Sequence, residues 1–179
     1  HFSKGDIVVL QNEINNVPYI IERCYEKEMK SFFNAAPYDI AVKNYPIEKV
    51  TWFVVNEIEG AALSNEEDYE KIIQTLKQKY PHTHILFTMG KEGSRAYYKN
   101  FRVEQPGFTV KAIETTGAGD TFCGCSINGV LKYGLDNLDE AKLKEILTYA
   151  NAGAALITMK KGAIRSMPEP ENIKELIGK

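Results

Sequence analysis

The chain has 179 residues, 44% of them hydrophobic and 26% charged, which excludes wholesale disorder, a collagen-like repeat and a small disulfide scaffold. Lys and Arg number 22 against 24 Asp and Glu, a net charge of −2, so there is no general basic footprint for nucleic acid or an anionic membrane. No apolar run reaches the ~18–20 residues that a membrane-spanning helix needs.

In chain order, Asp6 to Leu10 is an apolar run of buried-strand length. Val17 to Lys30 reads as a helix, with Tyr19, Ile20, Ile21, Cys24 and Tyr25 at helical spacing. Ser31 to Phe33 reads as a strand ended by Asn34-Ala35-Ala36-Pro37, and Thr51 to Val55 as the clearest strand, β-branched and aromatic throughout. Asn56 opens a short helix over Glu57 to Leu63. Ser64 or Asn65 is expected to cap the next helix, with Glu66, Glu67 and Asp68 in its acidic first turn and Lys77 and Lys79 in its last. His84 to Met89 is a further strand, stopped at Gly90.

The rhythm then changes. Ser94 to Tyr98 and Phe101 to Gln105 read as a hairpin around Lys99-Asn100, and Gly107 to Ala112 as one more strand. Two long helices follow, over Ala118 to Tyr133 and Asp139 to Thr158, then a loop rich in Lys, Gly and Pro and a terminal helix near Glu171 to Ile177. Alternating strands and helices predict a single α/β domain over residues 1–179, a mostly parallel sheet covered on both faces.

The stretch with the most chemistry is Thr115-Thr116-Gly117-Ala118-Gly119-Asp120-Thr121-Phe122. Small residues at Gly117, Ala118 and Gly119 let the backbone approach a ligand closely. The helix that starts there leaves its first amides unpaired, and with the positive end of the dipole they make an anion site. Asp120 lies in the same turn. A carboxylate there suits phosphoryl transfer to a hydroxyl: it accepts the hydroxyl proton while the amides stabilise charge on the transferring group. The alternative from spacing alone is an Asp that merely complements a helix dipole. There is no G-x-x-x-x-G-K-[ST], which excludes a P-loop, and the next glycine after Gly119 is Gly124, which disfavours a dinucleotide-dependent oxidoreductase.

Thr-Gly-Ala-Gly-Asp-Thr-Phe resembles the signature of the ribokinase-like, or PfkB, carbohydrate kinases. Further segments resemble that family in its order: Gln11-Asn12-Glu13-Ile14, Asn34-Ala35-Ala36-Pro37, Asn56-Glu57-Ile58-Glu59, Thr88-Met89-Gly90-Lys91-Glu92-Gly93, and Ala150-Asn151-Ala152-Gly153 with Lys161-Gly162-Ala163. The resemblance implies a three-layer α-β-α sheet fold and ATP-dependent phosphorylation of a sugar hydroxyl in the cytoplasm. It implies Asp120 as catalytic base and the amides of Gly117, Ala118 and Gly119 as anion hole. Thr88, Gly90, Gly93, Asn151 and Gly162 are implied on the nucleotide side. Asn56 and Glu59 are implied to hold Mg2+ through water.

The resemblance further implies ATP and a small sugar as ligands, no nucleic acid or membrane partner, and compatibility with a homodimer. A monovalent cation, K+, is implied near Glu114, the Thr116 and Gly162 carbonyls and Ser166. Glu114 stands where the family usually has Asp, a departure at that site. The Lys160 to Ile164 loop is slightly closer to fructokinases than to ribokinases. Every matching motif belongs to the C-terminal part of such kinases, so the chain is expected to be a fragment or truncated copy. It would lack the N-terminal portion and β-lid and show little sugar kinase activity alone. The alternatives are nucleotide binding without turnover, by a fragment or a non-catalytic paralogue, and a kinase acting on a nucleoside or a sugar acid. His82 and His84 lack a third partner for a metal, and Cys123 and Cys125 read as buried small residues.

Overall fold

In the computed structural model, residues 1–178 are described, and they fall into two compact units, His1–Phe87 and the residues from Thr88 onward. The strands form a six-stranded sheet in the order β1-β2-β3-β4-β5-β6.

The first unit alternates β1 (Ile7–Gln11), α1 (Val17–Glu26), β2 (Lys30–Asn34), β3 (Trp52–Asn56), α2 (Glu57–Ser64), α3 (Tyr69–Lys79) and β4 (His84–Thr88). β1 pairs with β2 and β2 with β3, both in parallel. The β2–β3 register sets Phe32 beside Trp52 and Phe33 beside Phe53, all four fully buried. Phe32 and Trp52 stack with centroids 6.0 Å apart, and Phe33 and Phe53 stack at 5.8 Å. Because successive strand residues face opposite ways, one aromatic pair anchors each face of the sheet. His84 sets its ring edge-on to Trp52, with centroids 5.0 Å apart. Among the described residues, no group of three His, Cys, Asp or Glu could hold a metal ion.

Two boundaries differ from the sequence expectation. α1 stops at Glu26 rather than Lys30, because Glu28 turns to φ 53° and the Lys30 amide donates to the Asp6 carbonyl to join the sheet. α3 is capped by Asp68, whose Oδ1 accepts from the Lys71 amide at 3.0 Å, not by Ser64 or Asn65. Ser64 belongs to α2 and its hydroxyl donates back to the Gly60 carbonyl, while Asn65 ends that helix in the left-handed conformation.

In the second unit, a short 3₁₀ turn over Gly90–Glu92 leads into the antiparallel hairpin β5 (Gly93–Tyr98) and β6 (Phe101–Pro106). α4 (Ala118–Tyr133), α5 (Glu140–Thr158) and α6 (Pro170–Ile177) follow. β6 is the last strand of the sheet, and Arg95 and Glu104 bridge the hairpin at 2.8 Å with Arg102 beside them.

The expected strand over Gly107 to Ala112 is absent. Among the described residues no further strand lies beyond β6 for it to pair with, and Thr109, Lys111 and Ala112 are exposed. Instead the Gly107 amide donates to the Glu92 carbonyl at 3.1 Å, and the Ile113 and Glu114 amides both reach the Thr158 carbonyl. Gly107 passes so close to the 3₁₀ turn that a Cβ would overlap the Lys91 carbonyl oxygen. Gly107→Ala should therefore destabilise the chain by about 1–3 kcal/mol, the usual cost of overpacking against a rigid neighbour. Urea unfolding checks this; an unchanged midpoint would show that the crossing relaxes freely.

Candidate active site

Gly117 sets the start of α4. It adopts φ 82° and ψ −1°, the left-handed region, and a Cβ there would meet Ile157 at 3.1 Å and Ala163 at 3.2 Å. Any other residue would be both strained and crowded at this point. The Thr121 amide makes the first helical bond, to the Gly117 carbonyl at 2.9 Å, and the Ala118 amide closes onto Thr115. The Gly119 amide is left without an acceptor inside the helix. Gly119 and Asp120 are exposed, and nothing lies within 4 Å of where a Gly119 Cβ would be. Thr121, Phe122 and Cys123 are buried. The turn thus offers solvent an open patch of backbone, the positive end of a sixteen-residue helix and one carboxylate.

Burial pushes Cys123 and Cys125 each up to about 11, so they stay protonated near neutral pH.

Glu114, Thr116, Gly162 and Ser166 are drawn together beside this turn. Glu114 Oε2 accepts from the Gly162 amide at 3.0 Å, and Thr116 donates its hydroxyl to the same carboxylate. These bonds, with the Lys161 charge nearby, hold the Glu114 carboxyl below the usual carboxylate range. Ser166 is buried and donates to the Lys161 carbonyl at 2.7 Å.

The turn after β4 brings Thr88, Gly90 and Gly93 together. The Met89 amide donates to the Gly93 carbonyl at 2.9 Å. Gly93 has φ 109°, and a Cβ there would overlap the Gln105 carbonyl. Asn151, on α5, holds this turn's hairpin rather than facing solvent. Its Oδ1 accepts from the Ser94 hydroxyl at 2.8 Å, and its Nδ2 donates to the Gln105 and Pro106 carbonyls at 3.0 and 3.2 Å. Asn151 and Ser94 are both buried. Sequence reasoning did not single out Ser94 or Gly107. The only local signal for either was a small residue at the edge of the hairpin.

Asn56 and Glu59 lie in the first unit, at the C-terminal end of β3. They form a reciprocal cap: Asn56 Oδ1 accepts from the Ile58 and Glu59 amides at 2.9 Å, and Glu59 Oε2 accepts from the Asn56 amide at 2.9 Å. Glu59 is only 5% exposed, and desolvation raises its pKa above the ordinary value of 4.5. Lys43 reaches Asn65 Oδ1 at 3.1 Å, at the far end of α2.

The ribokinase of Arabidopsis thaliana complexed with ribose and ATP superposes with a TM-score of 0.79 at 24% identity, over 96% of this chain and 55% of that one. The fructokinase of Vibrio cholerae with fructose, ADP and calcium ion gives 0.84 at 20% identity, over 99% and 62%. The fold is thus the three-layer α/β fold of ribokinase-like kinases.

The family model for the pfkB family of carbohydrate kinases matches residues 24–170, and the chain belongs to that family. It is 44% identical over 93 residues to probable fructokinase-5 of Arabidopsis thaliana, 52% of this chain and 29% of that protein. It is 40% identical over 95 residues to fructokinase-1 of Zea mays, 53% and 29%. The chain thus spans little more than half of the solved kinases, and its alignments cover under a third of the curated ones.

Two outcomes follow from the buried polar groups. A raised carboxyl pKa means the folded state binds its proton more tightly than the unfolded one, so stability falls as pH rises from about 4.5 through the folded value. Glu59→Gln keeps an oxygen for the Asn56 amide and removes the buried charge. Its melting temperature should match the parent's near pH 4 and exceed it increasingly above about 4.5. A pH-independent gap in melting temperature would count against the assignment. Asn151→Ala should cost about 1–3 kcal/mol, because it strands the buried Ser94 hydroxyl and removes the donor shared by the Gln105 and Pro106 carbonyls. In urea melts, Asn151→Ala and Ser94→Ala should combine less than additively, as partners in one network do.

Proposed function

We propose that the protein bearing this chain is an ATP-dependent sugar kinase, transferring the terminal phosphoryl group of ATP to a sugar hydroxyl. The observation that carries the reading is the α4 turn, where open backbone amides and an exposed Asp120 share one helical turn. Similarity to plant fructokinases at 40–44% identity favours fructose as the acceptor.

In this reading Asp120 accepts the proton of the sugar hydroxyl as its oxygen bonds to the terminal phosphorus. The bond from that phosphorus to the bridging oxygen breaks and ADP leaves. The amides around Gly117, Ala118 and Gly119 hold the negative charge of the group in transfer. Thr88, Gly90, Gly93 and Gly162 line the nucleotide side with backbone and small side chains. Asn151 serves that side indirectly, by fixing the hairpin that Gly93 begins.

Mg2+, when bound, neutralises phosphate charge. Asn56 and Glu59 fit an ion that keeps its own water, because one Glu59 oxygen already caps a helix and the side chain is buried. Three free cysteines and no disulfide among the described residues suit a reducing compartment such as the cytoplasm.

The test is Asp120→Asn in the whole protein, with ADP release coupled to a panel of sugars and nucleosides. Turnover should fall about 10²–10⁴-fold, the usual contribution of a positioned base, while ATP affinity stays within a few fold. Retained turnover within about tenfold would sink the base assignment. Tight NADH binding without ATP binding would overturn the kinase reading.

A further inference from the structure

The turn between β4 and β5 is closed by its own backbone. The Met89 amide donates to the Gly93 carbonyl at 2.9 Å, and the Glu92 amide to the Met89 carbonyl at 3.0 Å. Bonds of this kind give the turn a shape. They do not fix where it stands on the rest of the second unit.

That place is set at its root. Ser94, the first residue after the turn, is fully buried and lies opposite Gln105 in the hairpin register, as Gly93 lies opposite Pro106. Its hydroxyl donates to Asn151 Oδ1 at 2.8 Å. The Nδ2 of the same carboxamide donates to the Gln105 and Pro106 carbonyls at 3.0 and 3.2 Å. One side chain of α5 therefore holds both strands of the hairpin at a single rung. The glycines pass this hold on to the turn. A Cβ on Gly93 would overlap the Gln105 carbonyl oxygen, and one on Gly107 the Lys91 carbonyl oxygen, so turn and rung are in direct backbone contact.

α5 also carries the α4 turn. About two helical turns on from Asn151, Ile157 lies against Gly117, and the Thr158 carbonyl accepts from the Ile113 and Glu114 amides. A helix is a stiff spacer with a fixed rise of about 1.5 Å per residue. The Ser94–Asn151 bond thus sets the Thr88–Gly93 turn at a defined station on the same helix that holds the turn bearing Asp120.

We infer that Ser94 is a positioning residue for the nucleotide, whose buried hydroxyl fixes the Thr88–Gly93 turn to α5 and so to the α4 turn. The mounting stands on the hydrogen-bond geometry, and its effect on ATP rests on the kinase reading. A serine that only filled space would be served as well by alanine, and one that only stabilised the interior would cost melting temperature without touching the ligand.

The experiment compares Ser94→Ala with Ser94→Cys. Alanine removes the donor with little change of volume. Cysteine restores a weak one, because a buried thiol stays protonated. In the whole protein, ATP affinity is measured by calorimetry well below the melting temperature, with KM for ATP and for the sugar from steady-state rates. Ser94→Ala should weaken ATP binding on the order of tenfold, the scale of one lost buried hydrogen bond, and leave the sugar KM unchanged. Ser94→Cys should recover part of the affinity. Unchanged ATP affinity with a lowered melting temperature would overturn the inference, as would equal losses for ATP and sugar.

A second arm needs no ligand. In this chain, Ser94→Ala should speed amide exchange at Met89 and Gly107 on the order of tenfold relative to the Lys30 amide, which bonds within the first unit. Equal protection at all three would overturn the mounting itself. A parent protein that binds no ATP would sink the kinase reading instead, and the exchange arm would still decide the role of Ser94.

Discussion

A helix must begin somewhere, and its first amides must then face something other than the helix. In this chain that requirement is met at Gly117. Its left-handed backbone, wedged between Ile157 and Ala163, fixes the line along which α4 departs. Everything proposed for the site descends from that angle: the open backbone at Gly119, the carboxylate of Asp120 one residue on, and the burial of Thr121 and Phe122 immediately after. A turn made of small residues is floppy in isolation, so its definition must come from neighbours. Here those neighbours belong almost entirely to the end of α5 and the loop after it.

The same logic explains the packing of α4 on α5. Gly153 leaves room on α5 where a Cβ would meet Cys125 at 3.0 Å and Thr121 at 3.4 Å. Two helices that approach this closely transmit displacement rather than absorb it, because a packed interior has few voids. Polar groups in the interior are used sparingly and as fasteners. Asn151 satisfies a hydroxyl and two carbonyls at once, tying α5 to the β5–β6 hairpin. Glu59 is the exception. It sits in a cap that a neutral side chain would fill with less desolvation, and an ionised carboxylate there works against stability.

The features that were legible in the sequence are the ones governed by local rules. The helix and strand periods, the Asn56 that opens α2, the hairpin at Lys99-Asn100 and the glycine turn before Asp120 each depend on a few adjacent residues. The features that escaped depend on distant partners. Ser94 and Asn151 meet across 57 residues, and Glu114 and Gly162 across 48. No spacing rule announces such pairs. Gly107 to Ala112 looked like a strand because its composition permits one, but a strand also needs a partner, and β6 ends the sheet. Asp68 took the cap from Ser64 and Asn65 because α2 runs one residue further than expected, with Ser64 as its last residue and Asn65 as its C-cap.

The hairpin has a consequence for the behaviour of the molecule in solution. An outermost strand carries a row of unsatisfied backbone groups and is a ready template for another strand. β6 is short and half-polar, with Arg102 and Glu104 along it and Pro106 at its end, and Pro106 has no N–H to offer. A foreign strand arriving at this edge would have to desolvate charge and skip a hydrogen bond. The residues that close the sheet therefore also act as a gatekeeper, making this edge a poor seed for edge-to-edge aggregation.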